Sequence, residues 1–233
     1  MRVKSVERII VDVPFTDRQL RITEREVGNW SILELCKVTA DSGHVGWGET
    51  VIHYTWCRVP DEAVARVIGQ NPISVMNDDS LGAGLQMALF DLVGNILEVP
   101  VHQLMGRKVR DQVPLSWWSI DASPADWAAE AKDAVANGYD SFKLKPRPWW
   151  DIVEQIGAID EVVPRSFKLD LDPNGTLKDA ESALPVIQRL EAFETVAIFE
   201  TPIPQHDIEG NRALRQQIHS SIAMHFGSPP FLT

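Results

Sequence analysis

SFKLKP, residues 141 to 146, reads as a short strand that ends in two lysines on one face. Successive strand side chains point to opposite sides, so Lys143 and Lys145 share a side, roughly 7 Å apart along the strand. Two like charges that close disfavour each other's protonation, and partial burial acts in the same direction. One of the two is therefore expected to be neutral enough to serve as a base. Two surface lysines on an edge strand would show the same pattern, and a lone KxK does not separate the two. The later strands of the chain do.

From this strand outward the chain alternates between two periods. Val113 to Ile120 reads as a strand, and Pro124 to Ala136 as a helix with Trp127, Ala128, Ala131 and Val135 on one side, stopped at Asn137-Gly138. Tyr139 to Pro146 is the lysine strand. Helices over Trp149 to Val163, Lys178 to Ala192 and Asp207 to Ile218 separate strands over Phe167 to Asp172, Glu194 to Glu200 and Ser221 to Gly227. Repeated strand–helix–strand order implies a parallel sheet with right-handed crossovers, about four and a half βα units. A polar group stands where each strand stops: Lys145, Asp172, Glu200 and His225 succeed one another at intervals of 27, 28 and 25 residues. One unit of a (β/α)8 barrel is about 250 residues divided by 8, so a curled sheet would gather all four at its C-terminal mouth, where barrel enzymes keep their catalytic groups. A carboxylate closing the apolar run TVAIFE is costly to bury unless it meets a cation. Asp172 and Glu200 offer hard oxygens to Mg²⁺, which takes one or two carboxylates together with substrate oxygens and water.

Each of these residues also has a purely structural explanation. Asp172 before Pro-Asn-Gly suits a turn. Asp170 points to the same side and is an alternative polar group, Glu200 before Thr-Pro could cap a loop, and His206 and Asp207 suit a loop and a helix N-cap. The common register of the strand ends favours function.

Residues 1 to 112 have a different order, strands then helices, and read as an α+β domain; residues 113 to 233 form the βα part. Val3 to Val13, Ser31 to Ala40 and His44 to Thr50 make a three-stranded meander with a turn at Asp41-Ser42-Gly43. Pro14 to Trp30 is polar and reads as a long loop, either functional or merely solvated. Val51 to Val59, with His53, Tyr54, Trp56 and Arg58, is a ligand-facing loop or an aromatic packing segment. Asp61 opens a helix with Ala63, Val64, Val67 and Ile68 as its stripe, and Ser80 to Leu97 is a longer one. Gly82 and Gly84 form a lone GxG with no preceding strand, which excludes a dinucleotide fingerprint.

The chain has 233 residues, 44% of them hydrophobic, and a net charge of -11. That composition supports a core and, with no basic patch, excludes nucleic acid as a partner. No apolar run is long enough for a membrane span, and the N-terminus lacks a signal-peptide core. Cys36 and Cys57 have no metal or redox spacing and read as buried thiols in a reducing, cytoplasmic compartment.

The whole layout resembles the enolase superfamily, in particular its mandelate racemase and muconate lactonizing branch. GWGE at Gly46 to Glu49 is similar to the third strand of that family's capping domain, and Gly84 to Gly106 to the helix leading into the barrel. FKLKP matches its KxK motif, Asp172-Pro173-Asn174 its DxN, and Phe199-Glu200-Thr201-Pro202 its EEP-type motif. The resemblance implies an α+β cap followed by a TIM-type barrel, and an isomerase or lyase that removes the proton α to the carboxylate of a small substrate. It implies Lys145 as general base, Lys143 as the neighbour that lowers its pKa and meets the substrate carboxylate, and Asp172 and Glu200 as ligands to Mg²⁺, which with a lysine stabilises the enediolate. Racemisation, cycloisomerisation and acid-sugar dehydration all take that route.

Two positions depart from the family. Its third metal ligand is an Asp or Glu ending the fifth barrel strand, where this chain has His225; histidine is a poor partner for Mg²⁺, so the site uses His225 with another metal, binds metal weakly, or keeps His225 as a satisfied or substrate-facing residue. The chain also stops at Thr233, whereas the family continues for three more strands. An unpaired sheet edge invites association, so a homo-oligomer is expected, and a non-catalytic truncated remnant is the rival to an active enzyme.

Overall fold

The computed structural model describes residues 1–54 and 58–225. Trp56 and Cys57, and the stretch from Phe226 that was expected to finish the fifth strand, lie outside the described residues. The chain divides into two compact units, Met1–Val113 and Pro114–Thr233.

The first unit runs β1 (Val3–Asp12), α1 (Asp17–Thr23), β2 (Ile32–Ala40), β3 (Val45–Val51), α2 (Asp61–Val67), α3 (Pro72–Val75), α4 (Ala83–Leu97) and α5 (His102–Met105). The three strands form an antiparallel sheet in the order β1-β2-β3. Period-2 alternation sends Cys36, Val38 and Ala40 into the core, where they meet Leu85, Ala88, Leu89 and Leu92 of α4. The glycines of GWGE have a packing role. A Cβ on Gly46 would lie 2.2 Å from the Ala88 carbonyl oxygen, and one on Gly48 would lie 2.1 Å from that of Gly84. Only glycine lets the helix lie this close to the strand.

Two expectations for this unit are corrected. Pro14 to Trp30 is not a loop: it holds α1 and a 3₁₀ turn, Gly28–Ser31. Thr16 caps α1 by accepting from the Gln19 N–H, and Ile22, Thr23 and Val27 are buried. Three inward positions within a charged stretch are too few to show a period. The long helix begins at Ala83 rather than Ser80, because Gly82 takes φ +85° and divides it from the 3₁₀ turn Asp79–Leu81.

The second unit runs β4 (Trp117–Ile120), α6 (Pro124–Ala136), β5 (Ser141–Lys145), α7 (Ile152–Asp160), β6 (Lys168–Leu171), α8 (Ala180–Leu190), β7 (Val196–Glu200), α9 (Ile208–Arg215) and β8 (Ser221–Ala223). All neighbouring strands pair parallel, in the order β4-β5-β6-β7-β8. This is the α/β arrangement of a partial TIM-type barrel. Side-chain alternation divides each strand. Phe142, Leu144, Leu169, Leu171 and Phe199 are buried on one side, each contributing roughly 1.5–3 kcal/mol by leaving water. Lys143, Lys145 and Asp170 lie on the other. The register sets Lys143 beside Asp170, and Glu200 beside Ala223.

Candidate active site

The polar ends of β5, β6, β7 and β8 meet. The Lys145 ammonium donates to Asp172 Oδ2 at 2.5 Å and to Asn174 Oδ1 at 3.1 Å. Lys143 donates to Glu200 Oε2 and stands 3.5 Å from Asp172 Oδ2. His225 Nδ1 lies 2.9 Å from Glu200 Oε1, and its backbone N–H donates to Gln205 Oε1 at 2.6 Å. All five residues singled out in the sequence are therefore in one constellation. Both carboxylates are buried, Asp172 completely. The backbone holds Asp172 in place: its N–H donates to the Leu144 carbonyl at 2.8 Å, and the Asn174 N–H donates to Asp172 Oδ1 at 3.1 Å.

Strain accumulates at the same rim. Asn174 and Thr201 have φ +51° and +48°, a region that β-branched Thr201 rarely enters. The loops carrying them are joined by the Gly175 N–H donating to the Thr201 carbonyl at 2.7 Å. Backbone held in such conformations clusters at functional sites.

For Lys143 the electrostatic outcome is the reverse of what like-charge repulsion alone would give. Burial pulls its pKa down, but the hydrogen bond and charge of Glu200, with Asp172 and Asp170, outweigh burial and raise it. Asp170 is the counterpart. Burial lifts its pKa to about 6, with Lys143 opposing and the Glu200 and Asp172 charges adding. Its Oδ1 is buried without a hydrogen-bond partner among the described residues.

Sequence reasoning missed a second layer. Asp121, directly after β4, accepts from the Arg147 backbone N–H at 3.0 Å and from Gln155 Nε2 at 3.0 Å. Arg147 in turn donates from Nη2 to Asn174 Oδ1 at 2.9 Å. Asn174 thus receives both Lys145 and Arg147, and fixes the lysine from the side. Asp121 had a readable signal, since it stands 24 residues before Lys145 at the end of the preceding strand.

Asp172, Glu200 and His225 each offer a ligand atom, and these atoms lie within 4.8 Å of one another. Two buried carboxylates that already attract an ammonium suit a divalent cation. The residues present fit such a group.

Residues 126–225 match the family described as Enolase C-terminal domain-like. The D-galactonate dehydratase of Ralstonia nicotianae is 31% identical, over 86% of this chain and 59% of that protein. Residues 126–225 are therefore assigned to the enolase C-terminal-like family. Among solved structures, the dipeptide epimerase from Enterococcus faecalis is similar with a TM-score of 0.76 at 22% identity, covering 96% of this chain and 67% of that one. Muconate cycloisomerase from Pseudomonas fluorescens gives a TM-score of 0.71 at 23% identity, covering 96% and 64%. These two likenesses concern the fold. The chain spans 59% of the length of the galactonate dehydratase it matches. Among its described residues, no helix is long and apolar enough to cross a membrane.

Proposed function

We propose that this protein removes the proton α to the carboxylate of a small substrate, with Lys145 as the base, as part of an isomerase or lyase reaction. The observation that carries the proposal is the convergence of two lysines, two buried carboxylates and a histidine at consecutive strand ends. Lys145 must lose its proton to act. Its place between Asp172 and Asn174 aims its nitrogen toward the same space that the carboxylates face. Lys143 keeps its charge beside Glu200 and is positioned to receive a substrate carboxylate. A divalent cation held by Asp172 and Glu200 would neutralise charge that builds up on the substrate carboxylate as the proton leaves. Mg²⁺ is the ion that these two oxygen donors alone would take. Asn174, held by Arg147, keeps Lys145 from rotating away.

The substrate is an α-hydroxy or acid-sugar carboxylate. The galactonate dehydratase relative supports dehydration of an acid sugar over racemisation and cycloisomerisation. A cytoplasmic location and a homo-oligomer complete the proposal. Cys36 is a free, buried thiol whose pKa is pushed up to about 12, chiefly by burial, and such an inert thiol suits a reducing compartment. Exposed Trp47, Met87 and Met105 provide apolar surface for a second copy. The test is incubation with a panel of acid sugars and α-hydroxy carboxylates in D₂O with a divalent cation. Deuterium at the α-carbon, or a 2-keto product, supports the reading. A panel without either outcome counts against it.

A further inference from the structure

We propose that His225 sets the metal preference of this site: it takes a first-row transition-metal dication such as Mn²⁺ or Co²⁺ rather than Mg²⁺, with the imidazole as third protein ligand. The inference rests on the proposal that Asp172 and Glu200 hold a divalent ion.

The donor atoms already stand near ligand spacing. Two donor atoms each about 2.1 Å from one ion lie about 3 Å apart when adjacent and about 4.2 Å apart when opposite. His225 Nδ1 is 2.9 Å from Glu200 Oε1, an adjacent-ligand distance, and the whole set spans 4.8 Å. Small side-chain rotations would bring the three donors onto one ion. The imidazole is carried there by the fold. Glu200 pairs with Ala223 of β8, and His225 stands two residues further on, its backbone tied to Gln205.

The choice of ion rests on the donor types. Mg²⁺ is small, hard and reluctant to lose water, and it favours carboxylate oxygens. An imidazole nitrogen is a borderline donor that binds later first-row dications better. Replacing a third carboxylate by a neutral ring also lowers the anionic charge on the ligands from three to two, and the Lys143 ammonium on Glu200 offsets part of what remains. Both changes disfavour Mg²⁺, whose binding depends most on charge.

The experiment titrates the protein with Mg²⁺, Mn²⁺ and Co²⁺ while monitoring its melting temperature, in wild type, His225→Ala and His225→Asp. Pulsed EPR of the Mn²⁺-loaded protein supplies a direct readout of imidazole nitrogen. The expected result is half-saturation by Mn²⁺ and Co²⁺ at concentrations at least about tenfold below Mg²⁺. His225→Asp should narrow that gap, and a ¹⁴N coupling should be present in wild type and absent in His225→Ala. Mg²⁺ binding as tightly as Mn²⁺, a preference unchanged in His225→Asp, or a wild-type spectrum without nitrogen coupling overturns the inference. If Mg²⁺ stabilises the protein as well as or better than Mn²⁺ and Co²⁺, the divalent-metal reading stands and only this inference falls. If no dication changes the melting temperature, both fall.

Discussion

Replacing Asp172 by Asn removes one negative charge and almost no volume, and its consequences can be worked from the site. The Asp172 side chain is fully buried, and that of Lys145 is 14% exposed. Breaking a buried ion pair by deleting one partner typically costs about 3–5 kcal/mol. Three features reduce that figure here. Lys145 keeps Asn174 Oδ1, Lys143 keeps Glu200, and Asp170 loses a repulsive neighbour. A metal-free cost of about 2 kcal/mol remains, a fall of roughly 8 °C in melting temperature for a unit of this size. A saturating dication then widens the gap. At a hundred times its dissociation constant, it stabilises the wild type by about 2.7 kcal/mol and leaves the variant unchanged, so the difference approaches 5 kcal/mol. Melting monitored by circular dichroism with and without the ion measures both terms. A variant stabilised by the ion as much as wild type would remove Asp172 from the metal site. One with no metal-free cost would show that the lysines do not depend on this carboxylate.

Asp170→Asn tests the unpartnered carboxylate. A raised acid pKa means the folded state holds its proton more tightly than the unfolded chain, so stability falls as pH rises from 3.8 to about 6. Removing the charge should abolish that fall and stabilise the metal-free protein at pH 7 by about 1–2 kcal/mol, after discounting for solvent screening, as read by denaturant melts across this window. Gly46→Ala places a methyl group 2.2 Å from the Ala88 carbonyl oxygen, and should destabilise the first unit by about 2–3 kcal/mol in chemical denaturation. Glu34→Ala removes the acceptor for the buried Val59 N–H and for Arg58 Nε, both at 2.8 Å, and should lower stability by about 2 kcal/mol. A loss below about 0.5 kcal/mol in the same assay would mean water replaces the carboxylate there.

The βα order was legible because both periods are strong and punctuated: Asn137-Gly138, Pro173-Asn174-Gly175 and the apolar runs around Leu144, Leu171 and Phe199 leave little freedom. The strand ends were legible because a buried sheet tolerates a charged residue only where its partner stands on the next strand. What the sequence hid depends on three-dimensional neighbours. Helix α1 needed only Thr16 and three inward residues, too sparse a signal in a charged stretch. The raised pKa of Lys143 depends on Glu200, 57 residues away. The hold on Lys145 passes through Asn174, Arg147 and Asp121, polar residues whose types alone suggest nothing more than loops.

Solvent exchange tests the role of Lys145 without waiting for the reaction's outcome to be known. Once a carboxylate that acquires α-deuterium with the wild-type protein is in hand, the same assay is run with Lys145→Ala and with Lys143→Ala, each loaded with the preferred dication. The account predicts that exchange disappears in Lys145→Ala, while Lys143→Ala retains it at raised substrate concentration. Undiminished exchange in Lys145→Ala would contradict it.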